Sequence, residues 1–265
     1  MKRDRLRIGM IAYANLFPIF YMLQKKCDCS EYEFIEGVPS DLNKKIRNGD
    51  IDISPSSSIE YLKNSERYDL IEDHSISSKG PVKSILLFSK MPIDKLDGVT
   101  VLVSSQSETS VALLEIIVKK FHEMDCPLES TSASVQQAMK SHSAYMLIGD
   151  QALLEAVRWK QHYLYDLGQL WYEHTGLPFT FALWIMRKDR TTGGGLFEKF
   201  KSDLDHSKQA ALTDLGTVAA ASPLRYLLSE EELVSYWHGI PYDFGEEHKR
   251  GLALFRQYSK ELGII

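Results

Sequence analysis

Residues 99–124, VTVLVSSQSETSVALLEIIVKKFHEM, hold the pattern that decides the fold. Val99–Val103 is a short apolar run, long enough for a buried strand and too short for a helix. A polar stretch rich in hydroxyls follows, Ser104 to Ser110. The chain then turns helical, with Val111, Leu114, Val118 and Phe121 on one face. A buried strand leading through a polar loop into an amphipathic helix is the repeating unit of α/β proteins.

The same alternation recurs along the chain. Arg7–Tyr13 reads as a first strand, and Pro18–Gln24 opens a helix with proline near its first position. Tyr32–Glu36 reads as a second strand. Val38, Leu42 and Ile46 then mark a helix ending at Gly49, a residue suited to the left-handed turn after a helix. Ile51–Ser54 reads as a third strand, followed by Ser56-Ser57-Ser58, where Ser57 and Glu60 have capping-box spacing. Tyr68–Ile76 and Ser84–Ser89 read as extended segments separated by the turn Lys79-Gly80-Pro81. Beyond residue 124, Ala144–Ile148 is a strand ending at Gly149-Asp150, with a helix from Gln151 to about Trp159. Tyr163–Trp171 and Glu173–Pro178 lead back toward the first lobe, and Phe179–Met186 is an aromatic-rich strand. After the link Gly193-Gly194-Gly195 the pattern is helical, with a capping box at Ser229 and Glu232 and a last helix closed by Gly263.

These elements predict one α/β lobe with a second inserted into it. Residues 1–88 plus 177–265 form the first lobe and 89–176 the second. Two crossing strands, near Ser84–Ser89 and Gly176–Met186, join them. That is the plan of the type II periplasmic-binding-protein fold, which takes its ligand in the cleft between lobes.

Composition narrows the function classes. The chain has 265 residues, with 36 acidic against 31 basic, a formal charge of −5. No stretch is dominated by Lys and Arg, which argues against a nucleic-acid partner. The three cysteines, Cys27, Cys29 and Cys126, form no disulfide framework and no two-pair zinc spacing, so neither metal nor cofactor is expected. The apolar run Ile8–Ala12 is too short for a secretory core, and no run is long enough to span a bilayer. The expected location is therefore cytoplasmic, without a membrane partner.

Three polar clusters sit between a strand and a helix: Tyr13-Ala14-Asn15, Ser56-Ser57-Ser58 and Ser104 to Ser110. Unpaired backbone N–H groups and the helix dipole at such positions favour an anion. Simple helix capping is the competing explanation for each cluster taken singly. No nucleophile elbow, P-loop or dinucleotide fingerprint is present. The residues alone describe an anion-binding two-lobe protein, catalytic or not.

Several segments resemble one family. Arg7-Ile8-Gly9, Tyr13-Ala14-Asn15 and Pro18 are similar to the opening of the chorismate dehydratases of the futalosine route to menaquinone, the MqnA family. The likeness continues through 49–55 (GDIDISP), 80–84 (GPVKS), 92–98, 107–111 (SETSV), 147–153 (LIGDQAL) and 175–179 (TGLPF). The resemblance implies conversion of chorismate, a dianion, to 3-[(1-carboxyvinyl)oxy]benzoate and water. It implies catalytic roles for Asn15 and Ser84. Ser57, Ser107, Thr109, Ser110, Gly149 and Asp150 are the expected substrate-binding residues. The C3 proton is expected to go to the substrate's own enolpyruvyl carboxylate or to Asp150, whose competing role is to cap the following helix.

Two departures from the family pattern stand out: Ala14, where a larger apolar residue is usual, and Glu108 in the anion loop, where some members carry Arg. Glu108 either points to solvent or opposes a dianion, with Lys79 and Lys83 available to offset it. The alternatives are a 1,4-dihydroxy-6-naphthoate synthase-like enzyme of the same pathway and a non-catalytic solute-binding protein. A monomer or a homodimer fits equally.

Overall fold

The computed structural model describes residues 5–159, 163–190 and 195–265. Its strands are β1 (Leu6–Met10), β2 (Tyr32–Glu36), β3 (Ile53–Ser57), β4 (Tyr68–Ser78), β5 (Ile85–Ser89), β6 (Val101–Ser104), β7 (Leu128–Thr131), β8 (Ala144–Ile148), β9 (Tyr163–Asp166) and β10 (Phe179–Arg187). Its helices are α1 (Phe17–Lys26), α2 (Pro39–Asn48), α3 (Ser58–Lys63), α4 (Glu108–Ile116), α5 (Val135–Ser141), α6 (Gly149–Arg158), α7 (Leu167–Thr175), α8 (Gly195–Thr213), α9 (Leu215–Ala221), α10 (Glu230–His238) and α11 (Glu246–Glu261). Of the expected glycine link, Gly193 and Gly194 lie outside the described residues.

The chain divides into two compact units. Unit 1 holds the chain up to Ile76 together with Ala182–Phe244; unit 2 holds Ser77–Phe181 and Gly245–Ile265. Each is built on a five-stranded mixed sheet, ordered β2-β1-β3-β10-β4 and β7-β6-β8-β5-β9.

Three boundaries differ from the sequence expectation of 1–88 plus 177–265 around 89–176. The first crossing lies within β4, at Ile76–Ser77, and not in the Ser84–Ser89 segment. β5 pairs antiparallel with both β8 and β9, which makes it an interior strand of the second sheet. The second crossing lies within β10, at Phe181–Ala182. The chain passes over a third time at Phe244–Gly245, which places α11 in unit 2. There Phe255 packs edge-on against Trp171 and Phe179, and Tyr258 against Phe121, aromatic contacts that local sequence cannot announce. Gly251 makes this docking possible, since a Cβ there would stand 2.1 Å from the Pro178 carbonyl.

Local signals explain most element ends. Gly49 closes α2 at φ 85, the left-handed region that glycine enters freely. Ser229 and Glu232 form the full capping box of α10. Residues 167–175, in the stretch expected to lead back toward the first lobe, form α7, whose N-terminus Asp166 caps. The helix expected to run to Met124 stops at Ile116 and continues as a single wide turn, Ile117–Phe121.

The core of unit 1 is aromatic, with Trp184 of β10 packed against both Phe20 of α1 and Phe200 of α8. In unit 2, Leu86, Phe88, Leu102, Tyr145 and Leu147 line one sheet face against Val135, Ala138 and Met139 of α5 and Ala152 of α6. Each such side chain contributes about 1.5–3 kcal/mol on burial. Among the described residues no helix is long and apolar enough to cross a membrane, and no group of three His, Cys, Asp or Glu could hold a metal ion.

Candidate functional site

Sheet topology brings the candidate residues to one edge of each unit. In unit 1, β1 and β3 run parallel, so the segment after β1 and the end of β3 lie at the same edge. In unit 2, β6 runs parallel to β8 and β5 antiparallel to it, so Ser84, Ser104–Ser107 and Gly149 share an edge. Ligands of α/β proteins collect at the carboxyl ends of strands, where helix N-termini converge.

Asn15 lies in the turn between β1 and α1. Leu16 and Phe17 both donate to the Tyr13 carbonyl at 3.1 Å, which closes the turn. Two buried side chains from the far end of the chain hold it from outside. Trp237 Nε1 donates to the Ala14 carbonyl at 2.7 Å, and the Tyr242 hydroxyl donates to the Asn15 carbonyl at 2.8 Å. Burial pushes the Tyr242 phenol well above its usual range, so it stays a protonated donor. The Asn15 amide oxygen Oδ1 is buried and has no partner. An amide cannot titrate near neutral pH, so this group can orient a ligand hydroxyl or N–H but cannot act as an acid or base. Ala14, the small residue in this motif, is buried under Trp237.

Ser56 and Ser57 belong to β3 rather than to a loop. Ser57 caps α3, accepting from Glu60 N at 3.3 Å and from Asn43 Nδ2 at 2.8 Å. The capping box is half made. The Glu60 carboxylate does not return to Ser57 but takes the Tyr68 hydroxyl at 2.7 Å, Asn64 Nδ2 at 3.0 Å and Arg47 Nε at 3.2 Å. The Ser57 oxygen is therefore filled as an acceptor, and only its proton is left to offer a carboxylate. Ser56 Oγ, fully buried, has no partner.

In unit 2, Ser107 caps α4. Its hydroxyl accepts from Ser110 N at 3.2 Å and lies 2.9 Å from Ser110 Oγ. Thr109 and Ser110 are buried in the first turn. Glu108 occupies the first helical position, half-buried, where the dipole favours an acid. Gly149 N donates to the Ser84 carbonyl at 2.7 Å, so these two residues meet at the head of the β5–β8 pair. Gly149 has φ 62, which suits glycine. Asp150 is not the cap of α6, contrary to its expected competing role. Ile148 holds that position with no side-chain bond, and Asp150 sits in the first turn.

One ionised cluster lies at the opposite end of the unit 1 sheet, where β1 and β3 begin, and a second at the Ser84 edge of unit 2. Asp52, fully buried, accepts from Arg7 N (2.9 Å), Arg7 Nε (3.1 Å), Arg7 Nη2 (2.7 Å) and Arg190 Nε (2.9 Å). Burial alone would push its carboxyl up; the Arg7 bonds and the two guanidinium charges outweigh it and hold the group below the usual range. Asp166 accepts from Val82 N and Gln169 N, both at 3.1 Å, and from Lys83 N at 2.6 Å. Burial pushes its carboxyl up against the pull of those N–H groups. Lys79 pairs with Glu247 at 2.9 Å and is thereby occupied. The free thiols of Cys27, Cys29 and Cys126 are all pushed up by burial, which makes them poor nucleophiles.

Sequence reasoning missed Trp237, Tyr242 and Asp166. Only Asp166 carried a local signal, the Asp-x-x-Gln spacing of a helix start before α7.

A sequence profile for a family described as menaquinone biosynthesis matches residues 6–261. The chain belongs to that family. This menaquinone-biosynthesis protein is 28% identical to a chorismate dehydratase of Thermus thermophilus, over 94% of its own length and 93% of the relative's. It is also 28% identical to a chorismate dehydratase of Campylobacter jejuni over 72% of each chain. Among solved structures, a protein from Archaeoglobus fulgidus superposes with TM-score 0.82 at 20% identity, covering the whole of both chains. The periplasmic aliphatic sulphonate binding protein SsuA of Escherichia coli superposes with TM-score 0.69 at 13% identity, over 99% of this chain and 94% of that one. The family member therefore has the periplasmic-binding-protein fold, with two α/β lobes.

Proposed function

We propose that the protein is a chorismate dehydratase, a carbon–oxygen hydro-lyase that forms 3-[(1-carboxyvinyl)oxy]benzoate and water from chorismate. Membership of the menaquinone-biosynthesis family over residues 6–261 carries this assignment, together with the two relatives that bear the dehydratase name.

In this reaction the C3–H bond breaks and its electron pair becomes the C3–C4 double bond. The C4 hydroxyl departs and takes up the proton released from C3, so the two leave together as water. The gain of aromaticity drives the step, so the protein's task is to hold one conformer and assist the leaving hydroxyl. Asn15 presents an amide that orients the ring and the departing oxygen, and its unpartnered Oδ1 is the acceptor awaiting a ligand donor. Ser84 hydrogen-bonds a substrate carboxylate or the leaving hydroxyl.

Carboxylates are met by the first turn of α4, through Ser107, Thr109, Ser110 and their N–H groups, and by the Ser57 proton and the Gly149 region. Oriented dipoles of this kind attract a dianion without a net basic protein. The substrate's enolpyruvyl carboxylate takes the C3 proton, and Asp150, in the first turn of α6, has no part in that transfer. The unpaired thiols fit a reducing cytoplasmic setting.

Loss of the cyclohexadiene absorbance of chorismate at catalytic protein concentration tests the assignment. Multiple turnovers with formation of the benzoate product are expected. Stoichiometric binding without turnover would overturn it in favour of a solute-binding protein.

A further inference from the structure

We propose that Asp166 is a positioning residue for Ser84, its carboxylate holding the backbone of Val82 and Lys83 in the conformation that aims Ser84. The proposal rests on the dehydratase function and deepens it.

Lys83 has φ 63, a left-handed conformation that is unfavourable for any residue with a Cβ. Something must hold it there. Asp166 Oδ2 accepts from Lys83 N at 2.6 Å, and Oδ1 accepts from Val82 N at 3.1 Å. Capping α7 requires only the third bond, from Gln169 N. The other two reach across more than eighty residues of chain to the segment just before Ser84, and so exceed what a cap needs.

Gly168 completes the arrangement. A Cβ there would lie 2.7 Å from both the Gly80 carbonyl oxygen and Ser78 Oγ, so the 78–83 segment rests directly on the first turn of α7. On the other side of Ser84 the chain is fixed at once. The Ser84 carbonyl accepts from Gly149 N at 2.7 Å, and Ile85 is in register with Ile148. Ser84 itself is buried, 1% exposed. The Ser84 hydroxyl donates back to the Val82 carbonyl at 3.4 Å, so its direction follows the Val82–Lys83 backbone that Asp166 holds.

Asp166→Asn keeps size and shape but turns an N–H donor toward at least one of the three backbone donors. With wild-type turnover of chorismate as reference, kcat/KM of Asp166→Asn is expected to fall about ten- to a hundredfold. Lys83→Gly enters the left-handed region without strain. Adding it to Asp166→Asn is expected to restore at least about threefold, a recovery that a purely structural role for Asp166 would not give. Gly168→Ala, which presses on the same segment from a different atom, is expected to lower kcat/KM by a similar factor.

Asp166→Asn within twofold of wild type, or a loss that Lys83→Gly leaves untouched, overturns the proposal. If Asp166→Asn does not fold, Gly168→Ala decides, and near-wild-type activity in that variant overturns it. A wild-type protein that leaves chorismate intact overturns the dehydratase function and this role with it, an outcome distinct from the others.

Discussion

Tyr242→Phe removes one oxygen atom and tests whether the Asn15 turn is held from outside. The Tyr242 ring is 2% exposed and its hydroxyl donates to the Asn15 carbonyl at 2.8 Å. Phenylalanine keeps the ring and opens no cavity, so the change isolates one hydrogen bond. A neutral bond of this kind contributes about 0.5–1.5 kcal/mol net, and about 1–3 kcal/mol when its loss strands a buried acceptor. About 1–2 kcal/mol is the expected cost. For a chain of this size that corresponds to a fall in Tm of about 2–8 °C.

The activity change follows from the same free energy. The Asn15 side chain has no protein partner for its Oδ1, so the backbone turn alone orients it. Trp237 still holds Ala14 in the variant, at 2.7 Å, so the turn is loosened and not lost. If the whole cost falls on transition-state positioning, kcat/KM drops about five- to thirtyfold. Chorismate absorbance gives the kinetics and circular dichroism the melt. A variant whose Tm falls as expected while kcat/KM stays within twofold of wild type would refute the reasoning, because Asn15 would then be oriented without this bond.

Other predictions concern the remaining clusters. Asp52 has a native carboxyl held below its unfolded value, so the Arg7–Asp52–Arg190 network contributes fully above the ordinary carboxylate range and is lost as pH falls through the depressed value. Asp52→Asn should cost about 2–4 kcal/mol at neutral pH and flatten the acid limb of a urea-midpoint-against-pH profile; an unchanged acid limb would count against the network. Asn15→Ala and Asn15→Asp should both abolish measurable kcat while circular dichroism stays native, and an active Asn15→Ala removes the residue from the chemistry. Asp150→Asn should keep near-full turnover, because the substrate supplies the base; a hundredfold loss in kcat with unchanged KM would transfer that role to Asp150. Ser107→Ala should lower stability by about 1 kcal/mol through its cap and weaken substrate binding about tenfold, read as KM.

Much of the fold was legible because its signals are local. Strand-to-helix switches at residues 99–124, the glycine after α2 and the capping box at Ser229 depend on residues within one or two turns of each other. The sequence reading assigns no helix to residues 167–175, although the Asp166–Gln169 spacing marks the start of α7. Ser56 and Ser57 read as a polar cluster beyond the end of the Ile51–Ser54 strand. They lie within β3 all the same, paired with Leu183 and Ala182 of β10.

Sequence by itself determined the alternation of strands and helices, the family resemblance and the choice of Asn15, Ser84 and the α4 hydroxyls as candidates. Each rests on chemistry carried by neighbouring residues. Only the tertiary structure decided that α11 docks on unit 2, that Trp237 and Tyr242 grip the Asn15 turn, and that Asp166 holds the backbone ahead of Ser84. Those contacts join residues more than eighty positions apart, in α11's case through Phe255 on Trp171. No periodicity or spacing encodes such a pair. It exists because burying an aromatic face, or satisfying an otherwise buried carboxylate, is favourable only once the remote partner is brought alongside.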